Sequence, residues 1–137
     1  MSRNYTQLRA FVLLDELVVE LYVLSRLLPD SELYGLQAQM RRAAVSAPTN
    51  IVEGSVRRSD KAYLVFLETA LGSASEVRYL LGLAVRLGFL KLTDVSPLES
   101  RYSEAIRSLQ KLISRIEMDR QNSKRSGRKP KAETPNR

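Results

Sequence analysis

The 137-residue sequence contains no cysteine and no histidine. Without cysteine there is no disulfide, no thiolate nucleophile and no Cys-based zinc site. Without histidine the usual general base and the commonest transition-metal ligand are missing. No Gly-rich phosphate loop is present, and no serine stands in a nucleophile-elbow setting. These absences predict a chain that is not an enzyme and carries no cofactor and no metal. Charged residues interrupt every apolar stretch, so none reaches membrane-spanning length and no membrane partner is expected. The N-terminal MSRNYTQLR is polar and lacks a short apolar run closed by small residues, so no secretory signal is expected. Together with the missing cysteines, this predicts a cytoplasmic protein.

What remains is an apolar fraction of 44%, enough for one folded domain with a real core. The formal net charge is +7, and its location matters more than its size. Residues 119–137 contain seven Lys/Arg and two acids, which places +5 there and only +2 on the remainder. Most of the basicity therefore belongs to the tail.

Four segments carry helical periodicity. In the first, about residues 6–28, Ala10, Leu14, Leu17, Leu21, Leu24 and Leu28 recur at steps of four and three, and Phe11, Val18 and Tyr22 widen that face. Val12, Val19 and Val23 form a further stripe, read either as an oligomer interface or as scattered exposed valines. Pro29-Asp30-Ser31 breaks the chain, with Asp30 or Ser31 as cap of a second helix at about residues 32–56. Leu33, Leu36, Met40, Ala44, Ala47 and Ile51 mark its inner face, small neighbours admit another helix, and Pro48 predicts a kink or irregular turn.

Ser59 caps the third helix, with Asp60 at its positive end. Tyr63, Leu67, Ala70, Ala74, Val77, Leu81 and Ala84 give the cleanest four-three repeat, and Gly88 ends it. Ser96-Pro97-Leu98-Glu99 reads as the capping box of a fourth helix, with Leu98, Tyr102, Ala105, Leu109, Leu112 and Ile116 inward. After Met118 apolar residues nearly vanish. The prediction is an all-α, antiparallel up-and-down four-helix bundle over residues 1–118, with a disordered basic tail over 119–137.

Residues 41–59, RRAAVSAPTNIVEGSVRRS, carry the pattern R-R-A-A-x-S-x-P-x-N-I-x-E-G followed by R-R-S. Its members are Arg41, Arg42, Ala43, Ala44, Ser46, Pro48, Asn50, Ile51, Glu53, Gly54 and Arg57-Arg58-Ser59. Tyr34-Gly35-Leu36 upstream fits the same pattern, as do Phe66-Leu67, Ala70-Leu71-Gly72-Ser73 and Glu76 downstream. On these residues the chain resembles the four-helix bundle proteins encoded in intervening sequences of bacterial 23S rRNA genes. The resemblance spans about residues 14–116 and leaves the basic tail outside. It implies an up-and-down four-helix bundle, a ring-shaped homopentamer and no catalytic activity. Through relation to the accessory proteins of diversity-generating retroelements, it also implies nucleic acid and a reverse transcriptase as partners by analogy.

Arg41, Arg42, Arg57, Arg58 and Lys61 form a basic constellation around the second helix and the start of the third. With Lys124, Arg125, Arg128 and Lys129 of the tail, they read as a phosphate-contacting surface. They read equally as a solvated face with local ion pairs, Glu53 with Arg57 among them, or as subunit contacts. Asn50 and Glu53 are expected to satisfy backbone groups freed by Pro48 or to pair with arginine. Glu68 and Glu76 with Glu16 and Glu20 raise a carboxylate metal site, but such sites draw on Glu-x-x-His motifs. With no histidine, Glu16 and Glu20 read as an exposed stripe. Six tyrosines offer stacking surfaces, yet Tyr63 and Tyr102 fall at core positions. Two functions follow: a non-catalytic oligomeric accessory that binds RNA or single-stranded nucleic acid, or an oligomeric protein-interaction scaffold.

Overall fold

The computed structural model describes residues 3–127. Four α-helices follow in order: α1 (Arg9–Ser25), α2 (Leu36–Ser55), α3 (Asp60–Arg86) and α4 (Leu92–Arg125). Short 3-10 turns lie at Tyr5–Gln7 and Asp30–Glu32, and no strand occurs among the described residues. The four-three stripes read from the sequence are the core. Every stripe residue of α1 and α3 is buried, as are Leu98, Tyr102, Ala105, Leu109 and Leu112 of α4. Ile116 packs against that core only in part.

Consecutive helices pack on each other, and α4 returns to α1, so each helix has two neighbours. In the side-chain contacts of α1 with α2, α2 with α3 and α1 with α4, residue numbers rise on one helix as they fall on the other. Ser25 and Tyr22 of α1 meet Gln37 and Arg41 of α2. Gln39 and Ser46 of α2 meet Glu76 and Ser73 of α3. Arg9 pairs with Glu104, and Glu16 and Glu20 pair with Arg101, between α1 and α4.

α1 stops at Ser25, not near residue 28, and helix ends differ from the sequence expectation in four further places. α1 begins at Arg9, not near residue 6, because Asn4 accepts from the Thr6 amide and holds a 3-10 turn instead. α2 begins at Leu36, not near residue 32. Neither Asp30 nor Ser31 caps it; the Glu32 carboxylate accepts from the Leu36 amide at 3.0 Å. Leu33, expected inside, lies in the turn before it and is 49% exposed. α4 begins a turn earlier than Ser96, whose hydroxyl donates back to the Leu92 carbonyl, so Pro97 lies inside the helix and the capping box is not formed.

The fourth difference is at the C-terminus. The expected disorder from residue 119 is not observed up to Arg125: α4 continues there, and Gly127 at φ +72° follows. Lys124 and Arg125 therefore sit on a helix. Arg128 and Lys129, with the rest of the expected tail, lie outside the described residues. Two expected signals hold. The Ser59 hydroxyl accepts from the Ala62 amide at 3.1 Å, and Gly88, at φ +79°, closes α3 with Phe89 bonding back to Ala84.

α2 runs unbroken through Pro48, so no irregular turn forms there. The polar members of the signature keep this helix close to α3. Ser46 Oγ meets Ser73 Oγ at 2.9 Å, and Asn50 Nδ2 donates to both the carbonyl and the hydroxyl of Ser46. Gly54 brings the end of α2 onto the start of α3. A Cβ there would stand 2.8 Å from Phe66 Cβ and 3.0 Å from Tyr63 Cδ1. Gly72, mid-α3, is exposed, and a Cβ there meets nothing within 4 Å.

These two glycines give opposite expectations. Gly54→Ala should lower the unfolding free energy by about 1–2 kcal/mol, because overpacking exceeds the helix-propensity gain. Gly72→Ala should raise it by about 0.5–1 kcal/mol. Urea unfolding of the two variants measures both; equal effects of either sign would contradict the close approach at Gly54.

Candidate nucleic-acid interface

The basic constellation is not one cluster. Arg41 and Arg57 are separated by nearly the whole of α2, roughly 20 Å along its axis. Arg41 lies beside the end of α1. Its Nε donates to Ser25 Oγ at 2.8 Å, one terminal nitrogen reaches the Tyr22 carbonyl at 3.4 Å, and its guanidinium covers the Tyr22 ring at 4.4 Å. Ser25 Oγ in turn donates to the Tyr22 carbonyl, and Gln37 donates to the Ser25 carbonyl. A cation placed on the last carbonyls of a helix answers the negative end of its dipole. Arg41 therefore holds the α1 terminus, while Arg42, its neighbour, is exposed.

The second pair lies at the other end of the body. α2 has ended at Ser55 before Arg57, so the expected Glu53–Arg57 helical pair is not formed. Arg57 instead lies over the Phe66 ring at 4.6 Å. Arg57, Arg58 and Lys61 are all exposed, and among the described residues none of them forms a salt bridge.

Arg3 joins this end, and nothing in its own polar stretch announces it. One terminal nitrogen donates to the Arg57 carbonyl at 2.8 Å and the other to Asp60 at 2.6 Å, with the guanidinium 4.2 Å from the centre of the Tyr63 ring. Burial raises the Tyr63 hydroxyl above the usual tyrosine range; the charges of Arg3 and Arg115 pull it back, and Asp60 adds to the rise. Arg115 of α4 is thus close to the start of α3. From Arg115, α4 runs about 15 Å further, past the α2–α3 connection, to Arg125. Arg120 is half-buried, and Lys124 and Arg125 are exposed. One end of the molecule therefore gathers Arg57, Arg58 and Lys61 with the basic end of α4.

The remaining candidates fall elsewhere. Val12, Val19 and Val23 are 43%, 67% and 53% exposed, an apolar stripe on the side of α1 away from its leucines. Val19, Val23 and Leu27 line an open groove of about 420 Å³ with Leu98 of α4, edged by Glu20 and Asp94. Glu16 and Glu20 are not a bare acidic stripe. Arg101 reaches both, at 2.7 Å to Glu16, and these contacts hold its guanidinium charge more firmly, Glu20 foremost. Asn50 bonds within α2, to Ser46, while Glu53 is exposed. Tyr102 is fully buried, and burial pushes its hydroxyl well above the ordinary tyrosine range. No helix among the described residues is long and apolar enough to cross a membrane.

The same fold occurs in a crystal structure of a protein of unknown function from the S23 ribosomal protein family of Bacteroides thetaiotaomicron. The TM-score is 0.71 at 22% identity, over 76% of this chain and 97% of that one. At that identity the likeness speaks for the fold alone. No curated protein matches the chain. A family match covers residues 6–111, from the N-terminal 3-10 turn to the middle of α4, and includes the whole Arg41–Ser59 signature. The basic end of α4 lies beyond it. On that match, the chain belongs to the 23S rRNA-intervening sequence protein family.

Proposed function

We propose that this antiparallel up-and-down four-helix bundle is a non-catalytic, homo-oligomeric accessory that binds RNA or single-stranded nucleic acid through its basic end. One observation carries the reading. Arg57, Arg58 and Lys61 are exposed at the end of the molecule where α4 extends with Lys124 and Arg125. Such a surface suits phosphates and has no element that reads base edges, so the binding is sequence-tolerant. Arg41 belongs to the α1 terminus and is left out of this surface, although it stands in the same sequence signature.

A second reading is an oligomeric scaffold whose partner is a protein, for example a reverse transcriptase by family analogy. In both readings the exposed valine stripe serves self-association. The number five rests on the family resemblance. Repetition of the basic end around a ring then adds weak phosphate contacts into useful affinity.

Affinity for a single-stranded oligonucleotide should fall with salt by a slope of about −0.7 per phosphate contacted. The triple change Arg57→Gln, Arg58→Gln, Lys61→Gln should reduce that slope by about two. Arg41→Gln should leave the slope unchanged and cost about 1–2 kcal/mol of stability through the lost hydrogen bonds and ring contact. Fluorescence anisotropy across a salt series reads the first two effects, and urea unfolding the third. Undetectable binding at low salt would favour the scaffold.

Self-association has its own test. Light scattering should give a pentamer, and Val19→Glu with Val23→Glu should give a monomer that keeps its helical content. A wild-type monomer at micromolar concentration would remove the oligomer from both readings.

A further inference from the structure

The α2–α3 connection contains a conflict. Asp60 is favourable at the first position of α3, where the helix dipole welcomes an acid. The same carboxylate stands among Arg57, Arg58 and Lys61, where it opposes any incoming phosphate. Arg3 touches both sides of this conflict, at Arg57 and at Asp60. It donates to the carbonyl of Arg57, to the carboxylate of Asp60, and lies over Tyr63, the first buried side chain of α3. Asp60 keeps its place at the helix start, and its charge is met by a cation from outside the connection. Meanwhile the Arg57 carbonyl is pinned, which fixes the peptide that links Arg57 to Arg58.

We infer that Arg3 is a positioning residue for the basic surface: it latches the α2–α3 connection and offsets Asp60, so that Arg57, Arg58 and Lys61 are presented as a preorganised cationic turn. The contribution to affinity rests on the nucleic-acid reading above; the latch does not. The task suits arginine. Its planar fork reaches a carbonyl and a carboxylate at once while its face covers a ring, and a lysine ammonium cannot do all three.

The test uses the full chain and its Arg3→Gln, Arg3→Lys, Asp60→Asn and Arg3→Gln/Asp60→Asn variants. Hydrogen exchange of the Arg57, Ala62 and Tyr63 amides, which bond to Gly54 and Ser59, reads the latch without nucleic acid. Arg3→Gln should speed that exchange, and Arg3→Lys should speed it less. Unchanged exchange in Arg3→Gln would overturn the latch. Anisotropy with a fluorescent single-stranded oligothymidylate reads the offset. Arg3→Gln should weaken binding about two- to fivefold, the range of one exposed charge pair, and Arg3→Lys should retain most of the affinity. In the Asp60→Asn background, Arg3→Gln should have little effect on affinity. An equal loss in both backgrounds would mean that Arg3 touches phosphate itself and would overturn the offset. If the unaltered protein fails to bind the probe at low salt, the nucleic-acid reading and the offset fall together, and the exchange arm still decides the latch.

Discussion

The close approach of α2 to α3 is the contact on which the rest of this structure depends. Buried Ala43, Ala44 and Ala47 are small, Gly54 has no side chain to keep Phe66 and Tyr63 away, and a Ser46–Ser73 hydrogen bond ties the helices midway. Close packing makes such a contact sensitive to single methyl groups. It also fixes where the chain turns between the two helices. The Arg57-Arg58 pair sits in that turn, so the direction in which those charges point follows from how tightly the helices above them fit.

Seen this way, the Arg41–Ser59 signature is largely a packing code. Ser46 and Asn50 form the polar tie, Pro48 and Ile51 are buried, Gly54 permits the contact, and Ser59 caps the next helix. Arg41 is taken up at the end of α1 by the Ser25 hydroxyl, the Tyr22 carbonyl and the Tyr22 ring. Arg42, Glu53, Arg57 and Arg58 are left exposed. A sequence pattern can thus define a family strongly while most of its members serve the fold, and the residues open to a partner are the minority that the core does not use.

Charge is arranged in the same economical manner. Arg9 with Glu104, and Arg101 with Glu16 and Glu20, join the first and last helices. Pairs of this exposed kind add little stability one at a time, but they occupy acids that periodicity alone had left as an open stripe. Arg57, Arg58 and Lys61, which have no such partners among the described residues, share one end with Lys124 and Arg125, because α2 and α4 both finish there and α4 outruns the core; Arg42 is exposed at the other end. The apolar stripe of Val12, Val19 and Val23 lies along the side of α1, apart from the basic end.

The helices, their inner faces and the valine stripe were legible in the sequence because each depends on local periodicity: a residue's place on a helix is fixed by its neighbours three and four positions away. Caps were legible only where the capping side chain had no rival. Ser59 had none. Asp30 and Ser31 lost to Glu32, and Ser96 lost to an earlier start at Leu92, since energies of about 1 kcal/mol decide such ends and tertiary packing outweighs them. The continuation of α4 to Arg125 was not legible, because a polar helix that leaves the core has no apolar stripe to announce it. The candidate site was read in its composition but not in its grouping. Arg41 and Arg57 are near in sequence yet at opposite ends of a helix, and Arg3 is distant in sequence yet in contact with Asp60. Periodicity determined by itself which residues enter the core; which cations stand together was decided only by the tertiary structure, because that depends on where helices end and which ends meet, and no local pattern encodes either.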